Sequence, residues 1–259
     1  FMNALHFLFG LGAFLGPIIV AQTVMISRDI NLAYWVVALI LAPIVVWVLR
    51  VPSPNPTQKA KEAQLLRGEI VFIVLIALFF FLHVGAELSF GDWIYTYAVS
   101  LELANVTTAA YLTSAFWGSI TLGRLIGIPI TTRIRPRTIL LSSLIGSMVS
   151  VSIILVWSDL TIALWVGTIG MGLSMASLFP STMTFAGRRL NITGRITGWF
   201  FIGVGAGSMA LPWMIGQVFE TIGPQSMMAI IMTAILLALV VLGILIRYRI
   251  PDTNTSSAV

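Results

Sequence analysis

The chain has 259 residues, 58% of them hydrophobic and only 9% charged, with a net charge of +5 and a mean hydropathy of +1.02. Soluble domains carry about 25% charged residues, so this composition excludes a soluble globular protein and predicts an integral membrane protein. The absence of cysteine excludes disulfides and thiolate chemistry, and the basic residues fall in short loops between apolar runs, where they read as topology signals and not as a nucleic-acid surface.

A spanning helix needs about 20 mostly apolar residues, and eight segments qualify: roughly 3–26, 33–49, 70–99, 108–130, 138–157, 161–185, 196–218 and 227–246. No basic stretch precedes the first run, so it does not read as a signal peptide. Because that run begins at Phe1, the chain is expected to be a fragment. Loops holding Arg50, Lys59, Lys61 and Arg67, then Arg133, Arg135 and Arg137, then Arg188, Arg189 and Arg195, then Arg247 and Arg249 alternate with loops holding Asp29, Glu102, Asp159 and Glu220. Every second loop is basic, which predicts that these loops are cytoplasmic. Only Arg28 lies on the other side, and Arg124 within a span. The longest connection, 50–69, contains Pro52, Pro54 and Pro56. It reads as an extended linker whose Lys59–Arg67 part forms a short surface helix, dividing the chain into two spans and six. The polar tail 248–259 is expected to be disordered.

The segment 70–100 departs most from a plain anchor. Twelve of the thirteen residues Ile70–Leu82 are Leu, Ile, Val or Phe, yet His83, Glu87 and Asp92 follow on the same run. Each large apolar residue contributes roughly −0.3 to −0.6 kcal/mol to insertion and a central acid costs about 3 kcal/mol, so the run offsets about two acids. Residues that costly face a water-filled cavity or a partner, and mark a pathway.

Six spans after a basic central linker are similar to the carboxyl half of a major facilitator superfamily transporter. The segments NALHFLFGLGAFLGP (3–17), VGAELSFGDWIYTYA (84–98), SAFWGSITLGRLIGI (114–128), GMGLSMASLFPS (170–181) and GWFFIGVGAGSMALPWMIG (198–216) resemble the sodium-dependent glucose transporter-like group. That group includes the major facilitator domain-containing proteins of the fourth type and is related to fucose:proton symporters. The resemblance implies an all-α polytopic bundle covering helices five to twelve of twelve. Residues 1–49 would end the amino-terminal half, 50–69 would be the linker, 70–247 the six-helix carboxyl half and 248–259 a cytoplasmic tail. The missing amino-terminal helices would be its partners, together with a sugar-like solute and the bilayer. At the inner loop the family shows a Gly-x-x-x-Asp-Arg-x-Gly-Arg-type signature. Here GRLIGIPITTRIRPR (123–137) keeps Gly123, Arg124 and the basic cluster that includes Arg133 but lacks the acid. These three are gate candidates, with Arg124 left to cap a helix end or to pair with an acid in the missing half.

His83 and Glu87 are i, i+4 on one helical face. His83 would donate to a sugar hydroxyl while Glu87 accepts one or carries the coupling ion, with Asp92 a second candidate for that ion or for a gate; the alternative is a Glu–His pair serving only structure. Gly85 and Gly91 either let the helix unwind or let helices pack closely. Trp93, Tyr97, Trp117 and Phe179 are candidate stacking platforms for sugar C–H faces, whereas Trp35, Trp157 and Trp165 read as interfacial belt residues. Ser174, Ser177, Ser181 and Thr184 form a hydroxyl stripe that would bind either a polyol or carbonyls freed by Pro180. By resemblance, 70–99 and 161–185 are cavity-lining helices. Gly203, Gly205 and Gly207, with Gly12 and Gly16, read as small-residue packing sites. Two histidines (His83 and His6) and no cysteine argue against a metal centre or an intramembrane enzyme. No cofactor is expected beyond a coupling Na+ or H+. The expected function is ion-coupled uptake of a hexose-like solute at the plasma membrane, the alternative being a truncated, non-transporting scaffold.

Overall fold

The computed structural model describes residues 2–52 and 67–249, with side chains from residue 10 onward. The expected linker helix over Lys59–Arg67 and the tail 250–259 therefore lie outside the described residues, apart from Arg67 itself. The elements are α1 (Met2–Ser27), α2 (Ile30–Arg50), α3 (Arg67–Ser100), α4 (Val106–Arg133), α5 (Pro136–Val156), α6 (Thr161–Met175), α7 (Leu178–Gly187), α8 (Gly194–Ile222) and α9 (Gln225–Arg247). Among the described residues the secondary structure is entirely helical.

Among the described residues seven spans, counting α6 and α7 as one from Thr161 to Gly187, are long and apolar enough to cross a bilayer. α4 has the length, with 28 residues, but carries Thr107, Thr108, Thr113, Ser114, Ser119, Thr121, Arg124, Thr131 and Thr132. It lies against α1, α3 and α6, so much of this polar surface is screened by other helices. The chain is thus a multi-pass, all-α membrane protein. Span 161–185, expected as one helix, breaks at Ala176 and Ser177, three residues before Pro180. A proline removes one N–H and clashes with the preceding turn, so the break falls where the helix bond would be lost.

Local sequence sets the ends. Asp29 accepts from the Asn31 amide at 2.9 Å to cap α2, Asn105 accepts from the Thr108 amide at 2.8 Å to cap α4, and Pro136 opens α5. Each supplies an acceptor, or omits a donor, where helix amides have no intrahelical partner. Within spans, Thr121, Ser147, Ser150 and Thr182 return their hydroxyls to the carbonyl four residues back, which satisfies them without water.

α3 is the axis of the bundle, packing most extensively on α8 and also on α4 and α9. Its Phe72, Phe79, Phe80 and Phe90 are fully buried. Phe80 meets Phe179 of α7 at 5.1 Å and Phe200 of α8 at 5.8 Å, and Phe90 meets Phe116 of α4 at 5.0 Å between centroids. Glycines allow this closeness. Any side chain at Gly203 or Gly207 would run into the backbone carbonyl of Ala77 or Phe81, and one at Gly85 would stand 2.8 Å from the Gly207 carbonyl. α3 is unbroken through Gly85 and Gly91, so these glycines serve packing and not unwinding. Gly12, Gly16 and Gly205 meet no neighbour among the described residues; of the α1 glycines it is Gly10 that approaches α4, at Thr121.

At the basic end, Arg189 ties three helix ends together. Its guanidinium donates to the Leu245 and Tyr248 carbonyls at 2.5 and 3.1 Å and stands 4.6 Å from the Phe185 ring and 5.6 Å from that of Phe72. Tyr248 closes the circuit by donating to the Gly68 carbonyl at 3.1 Å. A cation at a helix carboxyl end complements its orphan carbonyls and dipole.

Two outcomes follow from this packing. Gly207→Ala is expected to lower the thermal unfolding midpoint of the detergent-solubilised protein, at a cost of about 1–3 kcal/mol from overpacking, while Gly205→Ala leaves it unchanged. Arg189→Ala is expected to raise amide exchange at residues 245–248 without altering exchange in the middle of α3, as read by hydrogen–deuterium exchange mass spectrometry.

Candidate functional site

One face of α4 lines two cavities. Toward the non-basic end, Val106, Ala110, Thr113 and Trp117 form a wall of a 690 Å³ cavity completed by Gly91, Asp92 and Tyr95 of α3 and by the stretch Pro17–Met25 of α1. Toward the basic end, Thr121, Arg124, Ile128 and Thr131 line a 220 Å³ cavity with Ser177, Phe179 and Pro180 from the α6–α7 break. Trp117 and Thr121 are one turn apart, about 6 Å along the axis at 1.5 Å per residue. The two spaces are therefore stacked along one helix stripe, with a single turn between them.

That turn is closed by aromatic packing and backed by charge. Trp117 is buried, and its ring approaches Gly91 so closely that an added methyl there would stand 2.7 Å away. One to two turns further, Arg124 Nη2 lies 3.7 Å from Glu87 Oε1 of α3. Arg124 is 19% exposed, on the inner cavity, whereas Glu87 is 8% exposed behind it. The acid is thus reached through its cationic partner. Arg124 finds its carboxylate within these residues, which corrects the expectation that it caps a helix end or pairs in a missing half. Its other terminal nitrogen, Nη1, is buried without a hydrogen-bond partner.

The remaining expected residues separate into groups. His83 is fully buried. With the tautomer that protonates Nδ1, it donates to the Phe79 carbonyl at 2.7 Å, its ring lies against Phe79 and Phe80, and Nε2 has no partner. It shares a helix face with Glu87, but no bond joins them among the described residues. Asp92 and Trp117 line the outer cavity. Trp93 turns the other way, onto Phe219 of α8 at 5.1 Å, and Tyr97 is buried with its hydroxyl unpartnered. The α6–α7 break puts the serine stripe out of phase. Ser174 is the side chain nearest Gly146 of α5, Ser177 lines the inner cavity, Ser181 is buried without a partner, and Thr184 donates to the Pro180 carbonyl at 2.9 Å. Gly123 packs closely on Ala176 and Leu173, fixing α4 to the break, while Arg133 is exposed in the last turn of α4. Of the belt candidates, Trp35 and Trp157 are exposed and Trp165 is half-buried.

Among the cavity residues that escaped the sequence reading are Thr113, Thr121, Tyr95 and Thr131. The first two complete the 113–117–121–124 helical stripe, a 4-4-3 spacing that could have been read outward from Arg124. Tyr95 stands three residues after Asp92, on the same face. The bond between Gln22 of α1 and the Tyr111 hydroxyl of α4 has no local signal at all.

No family model matches the chain. Among curated proteins, it is 30% identical over 253 residues to sodium-dependent glucose transporter 1A of Mus musculus, covering 83% of this chain and 60% of that protein. It is 32% identical over 249 residues to sodium-dependent glucose transporter 1 of Xenopus laevis, covering 84% and 50%. Against major facilitator superfamily domain-containing protein 4A of Homo sapiens it is 36% identical over 151 residues, covering 58% and 29%. The chain thus spans between three tenths and three fifths of the length of these relatives. Among solved structures, the major facilitator superfamily transporter FucP in its outward conformation superposes with a TM-score of 0.58 at 17% identity, over 83% of this chain and 54% of that one, a likeness of fold. The motifs, the helical bundle and these relatives agree: the chain belongs to the major facilitator superfamily, in the group of the sodium-dependent glucose transporter 1 and domain-containing 4A proteins.

Proposed function

We propose that this protein works in secondary active transport of a hexose or a similar small polar solute, by alternating access, with Na+ or H+ as the coupling ion and the plasma membrane as its site. On this reading α1 and α2 end one half of the transporter, residues 50–69 link the halves, and α3–α9 form the other half. The observation that carries the proposal is the pair of cavities on one face of α4, separated by the turn that holds Trp117 and backed by the Glu87–Arg124 pair. Alternating access needs two vestibules that share a barrier and are not open together. A barrier of one helical turn requires only a small displacement of α4 against α3 to pass a solute.

The chemistry of the barrier suits the role. Arg124 has a buried guanidinium nitrogen with no partner, while Ser177 and Thr131 offer hydroxyls and Phe179 a ring on the same cavity. A polyol would accept from the guanidinium and the hydroxyls and lay a C–H face on the ring. Glu87 sets how tightly Arg124 is held. A cation or proton arriving at Glu87 weakens the pair and frees the guanidinium to donate to the solute, which ties ion arrival to solute binding. The relatives' printed names, sodium-dependent glucose transporter 1A and 1, support the solute class and the ion.

Two tests bear on this reading in the full-length protein. Glu87→Gln is expected to retain membrane expression, because the Arg124 it leaves borders the inner cavity, but to abolish concentrative uptake of radiolabelled hexose across an imposed ion gradient; unchanged accumulation rejects the assignment. Arg124→Met strands a buried carboxylate, which typically costs about 3–5 kcal/mol, so it is expected to lower the yield of folded protein, with Glu87→Gln on the same chain restoring it. A chain that folds, reaches the membrane and moves no solute on any gradient favours the scaffold reading instead.

A further inference from the structure

Glu87 is neutralised by Arg124, but the second carboxylate of α3 is not. Asp92 is exposed and lines the 690 Å³ outer cavity, and among the described residues no cationic group lies within 4 Å of it. The rest of the wall sorts into two chemistries. On the α3 and α4 side stand the Tyr95 and Trp117 rings and the Thr113 hydroxyl; on the α1 side, Val20, Val24 and Met25 form an apolar sheet. An unneutralised acid beside aromatic faces and opposite an apolar wall is complementary to a cation that carries a hydrophobic body. The carboxylate takes the charge, the ring faces supply cation–π attraction, and the apolar wall takes the body.

Size separates the kinds of cation. A divalent metal ion takes about six to eight oxygens, typically several carboxylates, within about 2.6 Å, whereas among the described residues no group of three His, Cys, Asp or Glu side chains is placed to hold one. A volume of 690 Å³ falls in the range of small organic ligand sites, about 300–1,000 Å³. We propose that the outer cavity between α1, α3 and α4 is a binding site for a monovalent organic cation, with Asp92 as its counter-ion and Trp117 and Tyr95 as its aromatic wall. The site is separate from the Glu87–Arg124 pair and does not rest on the transport reading, because equilibrium binding detects it whether or not the protein moves a solute.

The test uses tetrabutylammonium as the probe, measured by isothermal titration calorimetry on the purified full-length protein in detergent. A neutral tetraalkyl isostere in which silicon replaces the nitrogen, introduced at its solubility limit, supplies the uncharged control. Tetrabutylammonium is expected to bind and the neutral isostere not to. Asp92→Asn is expected to weaken binding roughly tenfold or more, the scale of losing one ion pair in a partly wet cavity. Asp92→Glu is expected to keep most of it. Asp92 is exposed, so its variants are expected to unfold at the wild-type temperature. Equal binding to wild type and Asp92→Asn, equal binding of the neutral isostere, or no binding to wild type overturns the proposal. Competition by NaCl but not by choline chloride would do so too, because it would assign Asp92 to the inorganic ion.

Discussion

Most of what is distinctive in this bundle depends on the contact between Glu87 and Arg124. Each charge alone would cost several kcal/mol at membrane depth. At 3.7 Å they attract by about 4 kcal/mol for an effective dielectric of about 20, enough to offset much of their desolvation but not to make the pair rigid. The geometry is longer than a hydrogen bond, and one partner borders a cavity. A pair of that kind holds α3 against α4 at mid-depth while remaining open to competition, which a hydrophobic contact there would not be.

The rest of the molecule supports that contact from both sides. Gly203 and Gly207 draw α8 onto the back of α3, and Phe79 and Phe80 cover His83, with Phe80 in turn packed on Phe179 and Phe200. At the basic end, Arg189 joins the last carbonyls of α9 to the rings of α3 and α7. α3 is thereby closely packed on its α8 side, while on its other side α4 and the α6–α7 break border the cavities. α1 packs on α4 as well and closes the outer cavity, whereas the inner cavity lies between α4 and the α6–α7 break, with the Glu87–Arg124 ion pair beside it.

The fold was legible from the sequence to a large degree because membrane burial writes itself into composition: long apolar runs and alternating basic loops fix the spans and their alternation. Glu87, Asp92, Arg124 and Trp117 were also visible, since each is expensive or unusual within a span. What could not be read was pairing across helices. Arg124 and Glu87 are 37 positions apart, and no local pattern distinguishes their meeting from two separate contacts elsewhere. The serine stripe at 174–184 was only partly legible for a related reason: its regular spacing assumes one uninterrupted helix, whereas the turn at Ala176 and Ser177 leaves Ser177 on the inner cavity and Thr184 bonded to the Pro180 carbonyl. Gly85 and Gly91 were ambiguous because close packing and unwinding demand the same residue type; the neighbours on α8 and α4 decide it.

The central claim is that one stripe of α4 faces two vestibules reached from opposite sides of the membrane. The chain contains no cysteine, so single cysteines at Thr113, Thr121 and Ile128, placed in a full-length protein cleared of any others, can be labelled with a membrane-impermeant maleimide applied to one face at a time. The account predicts that Thr113→Cys reacts only from the face of the non-basic loops, Ile128→Cys only from the face of the basic loops, and Thr121→Cys slowly from either. Labelling of Thr113→Cys and Ile128→Cys from the same face, or of neither from any face, would contradict it.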